Sequence, residues 1–180
     1  AAEAGVDGII AVAAGAGGHG GPLSPFALIP EIASFFNGTI VLSGAMSSGR
    51  HVATARMLGA DLAYLGTRFI ATREALVPQA QKDMVVEARA ADIVYTPAIS
   101  GVNANFLRAS ILAAGLDPDN LTPHGEIDMK NEARAWKTVW SAGHGSGSVK
   151  DVIPAAALIR RLRDEYAQAA DLFANKVGVA

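Results

Sequence analysis

With 180 residues, 51% of them hydrophobic, the chain carries enough apolar material for one sizeable core. Its formal net charge of −2, with Lys and Arg scattered, leaves no basic face for nucleic acid or an anionic membrane, and its apolar runs fall well short of a membrane span. The absence of cysteine excludes disulfides, thiolate metal sites and cysteine nucleophiles, and makes the cytoplasm the expected compartment.

The chain opens on Ala1 without an initiator Met, and residues 1–5 read as the end of a helix, so further βα units are expected ahead of it. Residues 3–10 and 57–64 share one pattern: a helical run stops at a glycine (Gly5, Gly59), a turn contains Asp (Asp7, Asp61), and a short apolar run follows. This is the helix-to-strand joint of a βα unit. A third apolar run at 39–43 follows the turn Asn37-Gly38, which closes a helix expected over 30–36. None of the three runs alternates with polar residues, which suits parallel strands buried on both faces.

Their order, strand-helix-strand-helix-strand, indicates an α/β fold with a parallel sheet. After Phe69 the strand signals fade. Pro78 opens a helix expected to reach about residue 90, and 105–114 forms another that stops at Gly115. Asp117-Pro118-Asp119-Asn120 makes a loop, and two last helices are expected at 128–136 and, capped by Asp151, at about 152–173.

Each strand run ends in a loop of small residues: Ala14-Gly15-Ala16-Gly17-Gly18-His19-Gly20-Gly21, then Ser43-Gly44-Ala45-Met46-Ser47-Ser48-Gly49, then Gly66-Thr67-Arg68-Phe69. The carboxyl ends of parallel strands are where ligands bind, and glycine lets backbone N–H groups approach a phosphate unhindered. His19 stands inside the first of these loops, where an imidazole, with its ordinary pKa of about 6.5, suits proton abstraction near neutral pH. No His, Asp or Glu set has metal-ligand spacing.

These three loops, in order, resemble three motifs of the nitronate monooxygenase (2-nitropropane dioxygenase) family, and Trp140-Ser141-Ala142-Gly143 resembles its C-terminal segment. The resemblance implies the C-terminal portion of a TIM (β/α)₈ barrel, about three parallel strands with helices, followed by a mainly helical region. Residues 1–90 would be the partial barrel, 91–150 a helical and loop region on the substrate side, and 151–180 a C-terminal helix, with about five βα units upstream. It also implies a noncovalently bound FMN, with Gly17 and Gly18 beside the flavin, Gly44, Ala45, Gly66 and Thr67 at its phosphate, and Leu65 among the cofactor-binding residues. The family's catalytic histidine falls on His19, acting on a nitronate or nitroalkane, with molecular oxygen as the second substrate. Ala45 stands where the family commonly has a second glycine, and its small methyl is compatible with FMN binding if the backbone there has φ below zero. Val12, Ala13 and Ala14 stand where relatives often carry a polar residue.

Two other readings share these loops: an FMN-dependent reductase that takes hydride from NAD(P)H toward a quinone or an enoyl thioester, and a noncatalytic, truncated flavin-binding fragment. On the second, the isolated chain is poorly stable and inactive. Arg68 suits either a phosphate or a structural ion pair, and His144 either the pocket or a structural role. His51 and His124 read as surface residues, Trp136 and Trp140 as one packed helical face, and 160–165 as a solvated helix face.

Overall fold

The structure is a computed structural model that describes residues 1–121 and 139–177. In chain order it runs β1 (Gly8–Val12), β2 (Gly18–His19), α1 (Pro25–Ala33), β3 (Thr39–Ser43), α2 (Gly49–Met57), β4 (Leu62–Tyr64) and α3 (Thr67–Ile70). It continues through α4 (Gln79–Glu87), β5 (Ile93–Thr96), β6 (Ala104–Leu107) and α5 (Arg108–Ala113) to a long helix, α6 (Ala155–Val177). The expected helix at 128–136, with His124 and Trp136, lies outside the described residues.

The three expected parallel strands form one sheet in the order β1-β3-β4, with Val12 beside Ser43 and Ser43 beside Tyr64 at the carboxyl ends. Ile29 and Ile32 of α1 pack with Ile40 and Leu42 of β3, Ala11, Met46 and Ala55 on one face of that sheet. The opposite face is open: Ile10, Leu62 and Tyr64 are 57–59% exposed. The expectation of burial on both faces therefore fails among the described residues, whose helices cover one side of the sheet.

Helix α1 starts earlier than expected. Ser24 caps it by accepting the Phe26 N–H, and Pro25 takes the first position, where a missing N–H costs nothing. The helix runs through Pro30, where it was expected to begin, and ends at Ala33 with Ser34 as its C-cap.

The region after residue 90 corrects the reading of a mainly helical segment. Residues 104–107 are a strand, all four buried, and the helix expected over 105–114 begins only at Arg108. β6 lies between β2 and β5 in an antiparallel sheet. Burial on both faces hid the period-2 signal, so Ala104-Asn105-Phe106-Leu107 ran unmarked into the helical pattern behind it. Trp140 is not helical. Its N–H donates to Ser110 Oγ at 2.6 Å and its carbonyl accepts from Leu107 N at 2.9 Å, which aligns this stretch beside β6.

Helix α6 lies on α2, and its start is set by Glu74, whose Oε2 accepts the Ala155 N–H at 2.8 Å. Asp151 does not cap it: both its carboxylate oxygens are taken by arginines. The run at 160–165 is more than a solvated face, since Arg161 holds Asp151 and Glu165 Oε2 accepts the Gly49 N–H at 2.7 Å, placing an anion at the start of α2. A side chain at Gly49 would collide with the Leu162 carbonyl at 2.0 Å, so glycine there sets how closely the two helices approach.

Candidate functional site

The loops at the carboxyl ends of β1, β3 and β4 converge with the segment 143–145 on one cleft of about 60 Å³. That is far below the roughly 300–1,000 Å³ of a whole cofactor pocket and matches a small group held by backbone. Gly15, Ala16 and Gly17 line it from the first loop, Ser43 to Met46 from the second, and Tyr64, Gly66 and Thr67 from the third. Among the described residues, neither a carboxylate nor a cation lines it.

The Gly15 carbonyl ties the loops together. It accepts from the Ala45 N–H at 3.2 Å and from the His144 N–H at 2.9 Å, joining three stretches at one oxygen. Gly15 itself has φ +80°, so the turn exists because no Cβ opposes it. At the third loop Thr67 Oγ1 accepts the Gly143 N–H at 2.9 Å, which spends an acceptor lone pair and leaves the hydroxyl proton free to donate. Ser47 Oγ donates to the Gly145 carbonyl at 2.8 Å, closing the ring of loops.

Ala45 does not meet the condition set for its methyl. Its φ is +53°, not below zero, and it is the one non-glycine residue in the left-handed region among the described residues. The Ala45 amide is engaged by Gly15, and the turn it belongs to is the reason for the left-handed backbone.

Of the residues singled out in the sequence, Gly17, Gly44, Ala45, Gly66 and Thr67 line the cleft. Gly18 and His19 form β2, immediately beyond the lining, with His19 exposed and paired to Ala104 in the antiparallel sheet. Leu65 faces elsewhere, packing on the cluster of Ile29, Ile40 and Leu42. His144 is exposed, its ring beside Gly15. Gly143 and Gly145 were missed as lining residues; their spacing within Gly143-His144-Gly145-Ser146-Gly147 was the available signal.

Arg68 settles as a structural ion pair. Its side chain is 3% exposed, and it donates to Asp151 Oδ1 at 2.7 Å and to the Ala71 and Asp151 carbonyls. Burial lowers its pKa from the ordinary value and Asp151 pushes it back up. His51 is half-buried rather than a surface residue: its Nδ1 accepts the Ser47 N–H at 3.0 Å, and burial holds its pKa below the usual imidazole value. Among the described residues no group of three His, Asp or Glu side chains is placed to hold a metal ion, and no helix is long and apolar enough to cross a membrane.

A parallel sheet whose strand ends supply glycine loops to one small cleft defines an α/β protein, the cleft lying where such folds bind ligands. The family model for nitronate monooxygenase matches residues 1–165, and the chain belongs to that family. It is 30% identical over 184 residues to a nitronate monooxygenase of Paraburkholderia phytofirmans, a match covering 92% of this chain and 50% of the relative. Among solved structures it is similar to FabK from Thermotoga maritima, with a TM-score of 0.78 at 22% identity over 97% of this chain and 59% of that one. A nitroalkane oxidase from Streptomyces ansochromogenes aligns with a TM-score of 0.72 at 25% identity, covering 96% and 55%. The chain thus spans about half the length of these relatives.

Proposed function

We propose that this chain is the cofactor- and base-bearing part of an enzyme that oxidises nitronates or nitroalkanes with FMN and molecular oxygen. The observation that carries this is the convergence of the three family motifs on one backbone-lined cleft with His19 on the adjoining strand. β1, β3 and β4 are read as consecutive strands of the C-terminal portion of a (β/α)₈ barrel, with 1–90 as barrel, 91–150 on the substrate side and 151–180 as the C-terminal helix. Their parallel order and their glycine loops at the carboxyl ends support that reading. The cytoplasm is the proposed compartment.

The lining fits a phosphate. Among the described residues it carries no carboxylate to repel an anion, and glycine keeps the backbone accessible: a Cβ on Gly17 would come within 2.9 Å of Thr67 Oγ1. The donors assigned to the phosphate are the amides of Gly44, Gly66 and Thr67 and the Thr67 hydroxyl. Ala45 gives its amide to Gly15 and shapes the turn instead. Gly17 and Gly18 would lie beside the ring, with Leu65 supporting the third loop from the core.

FMN, when bound, would supply the electron acceptor and pass the electrons on to oxygen. His19 takes the α-proton of a neutral nitroalkane onto a ring nitrogen, leaving a nitronate and an imidazolium. Toward a nitronate, which has already lost that proton, the same ring orients the nitro group. Exchanging His19 for Asn should therefore lower turnover of neutral nitroalkanes by about 10²–10⁴-fold while sparing nitronates.

The parent enzyme tests this directly. Oxygen consumption with propionate 3-nitronate, without NAD(P)H oxidation, is the expected result; NAD(P)H oxidation driven by a quinone or an enoyl thioester, with no response to nitronate, would make it a reductase. A parent that binds no flavin would leave the noncatalytic reading standing.

A further inference from the structure

We infer that Tyr95 and Asn105 form a two-point clamp that positions His19. The inference rests on the role given to His19 above, but the contacts that carry it are independent of that role. Tyr95 of β5 and Asn105 of β6 are register partners in the antiparallel sheet, and directly opposed residues project on the same face. Each reaches one end of the loop that carries His19. Asn105 Nδ2 donates to the Ala16 carbonyl at 2.7 Å, and the Tyr95 hydroxyl donates to the Gly20 carbonyl at 2.9 Å.

Between those two anchors lie only Gly17, Gly18 and His19, and two of the three are glycines, which hold no conformation by themselves. Gly18 takes φ +75°. The backbone of β2 is held by the ladder to Asn105 and Ala104, but a two-residue strand is short, and its ends depend on what fixes the flanking carbonyls. The clamp does this from a sheet that borders the cleft loops without lining the cleft.

Asn105 is an expensive residue for filling space. It is 1% exposed, and its Oδ1 has no hydrogen-bond partner among the described residues, so its amide is only half satisfied. A leucine would fill that volume without desolvating an amide. What leucine lacks is the donor to Ala16, and that donor is the property the position uses.

The full chain carries the test, as Y95F, N105L, N105D and the double variant Y95F/N105L. Amide exchange of residues 18–20, corrected for intrinsic rates, is compared with exchange of Ile40 and Leu42 in the central strand β3, and the His19 ring resonances are followed by nitrogen NMR. Y95F and N105L should each lower protection of residues 18–20 by about three- to tenfold and shift the His19 ring signals, with β3 unchanged.

N105D supplies the readout that a structural role would not move. A buried aspartate there can donate to the Ala16 carbonyl only when protonated, so its folded-state pKa is raised. The restored bond is present at low pH and lost as pH rises through that value. Loop protection in N105D should follow this course while wild type stays flat.

The clamp is overturned by protection unchanged in Y95F and N105L, by equal losses in β3 and the loop, by a loosened loop with unmoved His19 signals, or by N105D showing no pH dependence. FMN binding by the parent enzyme, read from quenching of flavin fluorescence, is measured separately. Its absence would count against the proposed function and leave the clamp result intact.

Discussion

Gly17 and Gly143 meet backbone against backbone: a Cβ on Gly143 would come 2.7 Å from Gly17 N, and a Cβ on Gly17 would come 2.8 Å from Gly143 N. The first loop and the 143–145 segment, more than 120 residues apart, can close the cleft together because neither presents a side chain at the contact. Gly143→Ala should therefore cost about 1–3 kcal/mol, the range for overpacking a site walled by backbone. At this chain length that is a fall in Tm of roughly 2–12 °C, measured by circular dichroism. Gly66→Ala is the control, since a Cβ there meets nothing within 4 Å, and its Tm should stay near that of wild type.

Ala45 offers the opposite change. At φ +53° its methyl opposes the carbonyl that follows, a strain of about 1–2 kcal/mol for an L-residue in the left-handed region. Replacement by glycine relieves it but gives the unfolded chain more freedom, worth about 0.4–1 kcal/mol in the other direction. Ala45→Gly should thus raise stability by about 0 to 1.6 kcal/mol in urea titration. A clear loss would mean that the methyl packs favourably enough to outweigh the strain.

The sequence was readable where a local rule was strong. Gly5 and Gly59 ended helical runs, and the apolar runs behind them and behind Asn37-Gly38 became the parallel strands, because each boundary depended on nearby residues, although α1 itself stops at Ala33, ahead of Asn37-Gly38. The strand-end loops were equally plain, and five of the eight residues singled out line one cleft. What stayed hidden was non-local. β6 is stabilised by partners on both sides, Asn105 by a carbonyl 89 residues away, and Asp151 by arginines at 68 and 161 rather than by the helix beside it. The turn at Ala45 depends on the Gly15 carbonyl, which no rule about residues 43–49 could supply.

The bond between Arg68 and Asp151 predicts an acid limb. The Asp151 carboxyl is held below its usual range first by the hydrogen bond from Arg161 and then by the charges of Arg161 and Arg68, against the desolvation that opposes them. A lowered carboxylate pKa contributes stability that is fully present above the unfolded value of about 3.9 and is lost as pH falls through the folded value. Asp151→Asn should therefore be less stable than wild type at pH 7, leaving the buried Arg68 without its counter-charge, and the gap should narrow below about pH 4. Urea titrations of both proteins at the two pH values decide it; a gap that persists unchanged in acid would show that the carboxylate charge contributes nothing.

His51 should give a second, higher transition confined to the second cleft loop. Its Nδ1 accepts the Ser47 N–H, so the bond exists only while that nitrogen is unprotonated. Burial lowers the imidazole pKa most, Glu165 raises it and Arg50 lowers it further, and the net result lies below the usual value of about 6.5. A base with a lowered folded pKa stabilises fully above its unfolded value and loses that contribution as pH falls through the folded one. The Ser47 amide should therefore be protected from exchange at pH 7 and become less protected as pH drops below the usual imidazole value of about 6.5, with Met46 and the second cleft loop loosening beside it. His51→Asn places a nontitrating oxygen near the position of Nδ1, so it should keep the bond and show a flat profile over the same range. If wild type and His51→Asn respond to acid alike, the transition belongs to another group and His51 is not the residue that holds this loop.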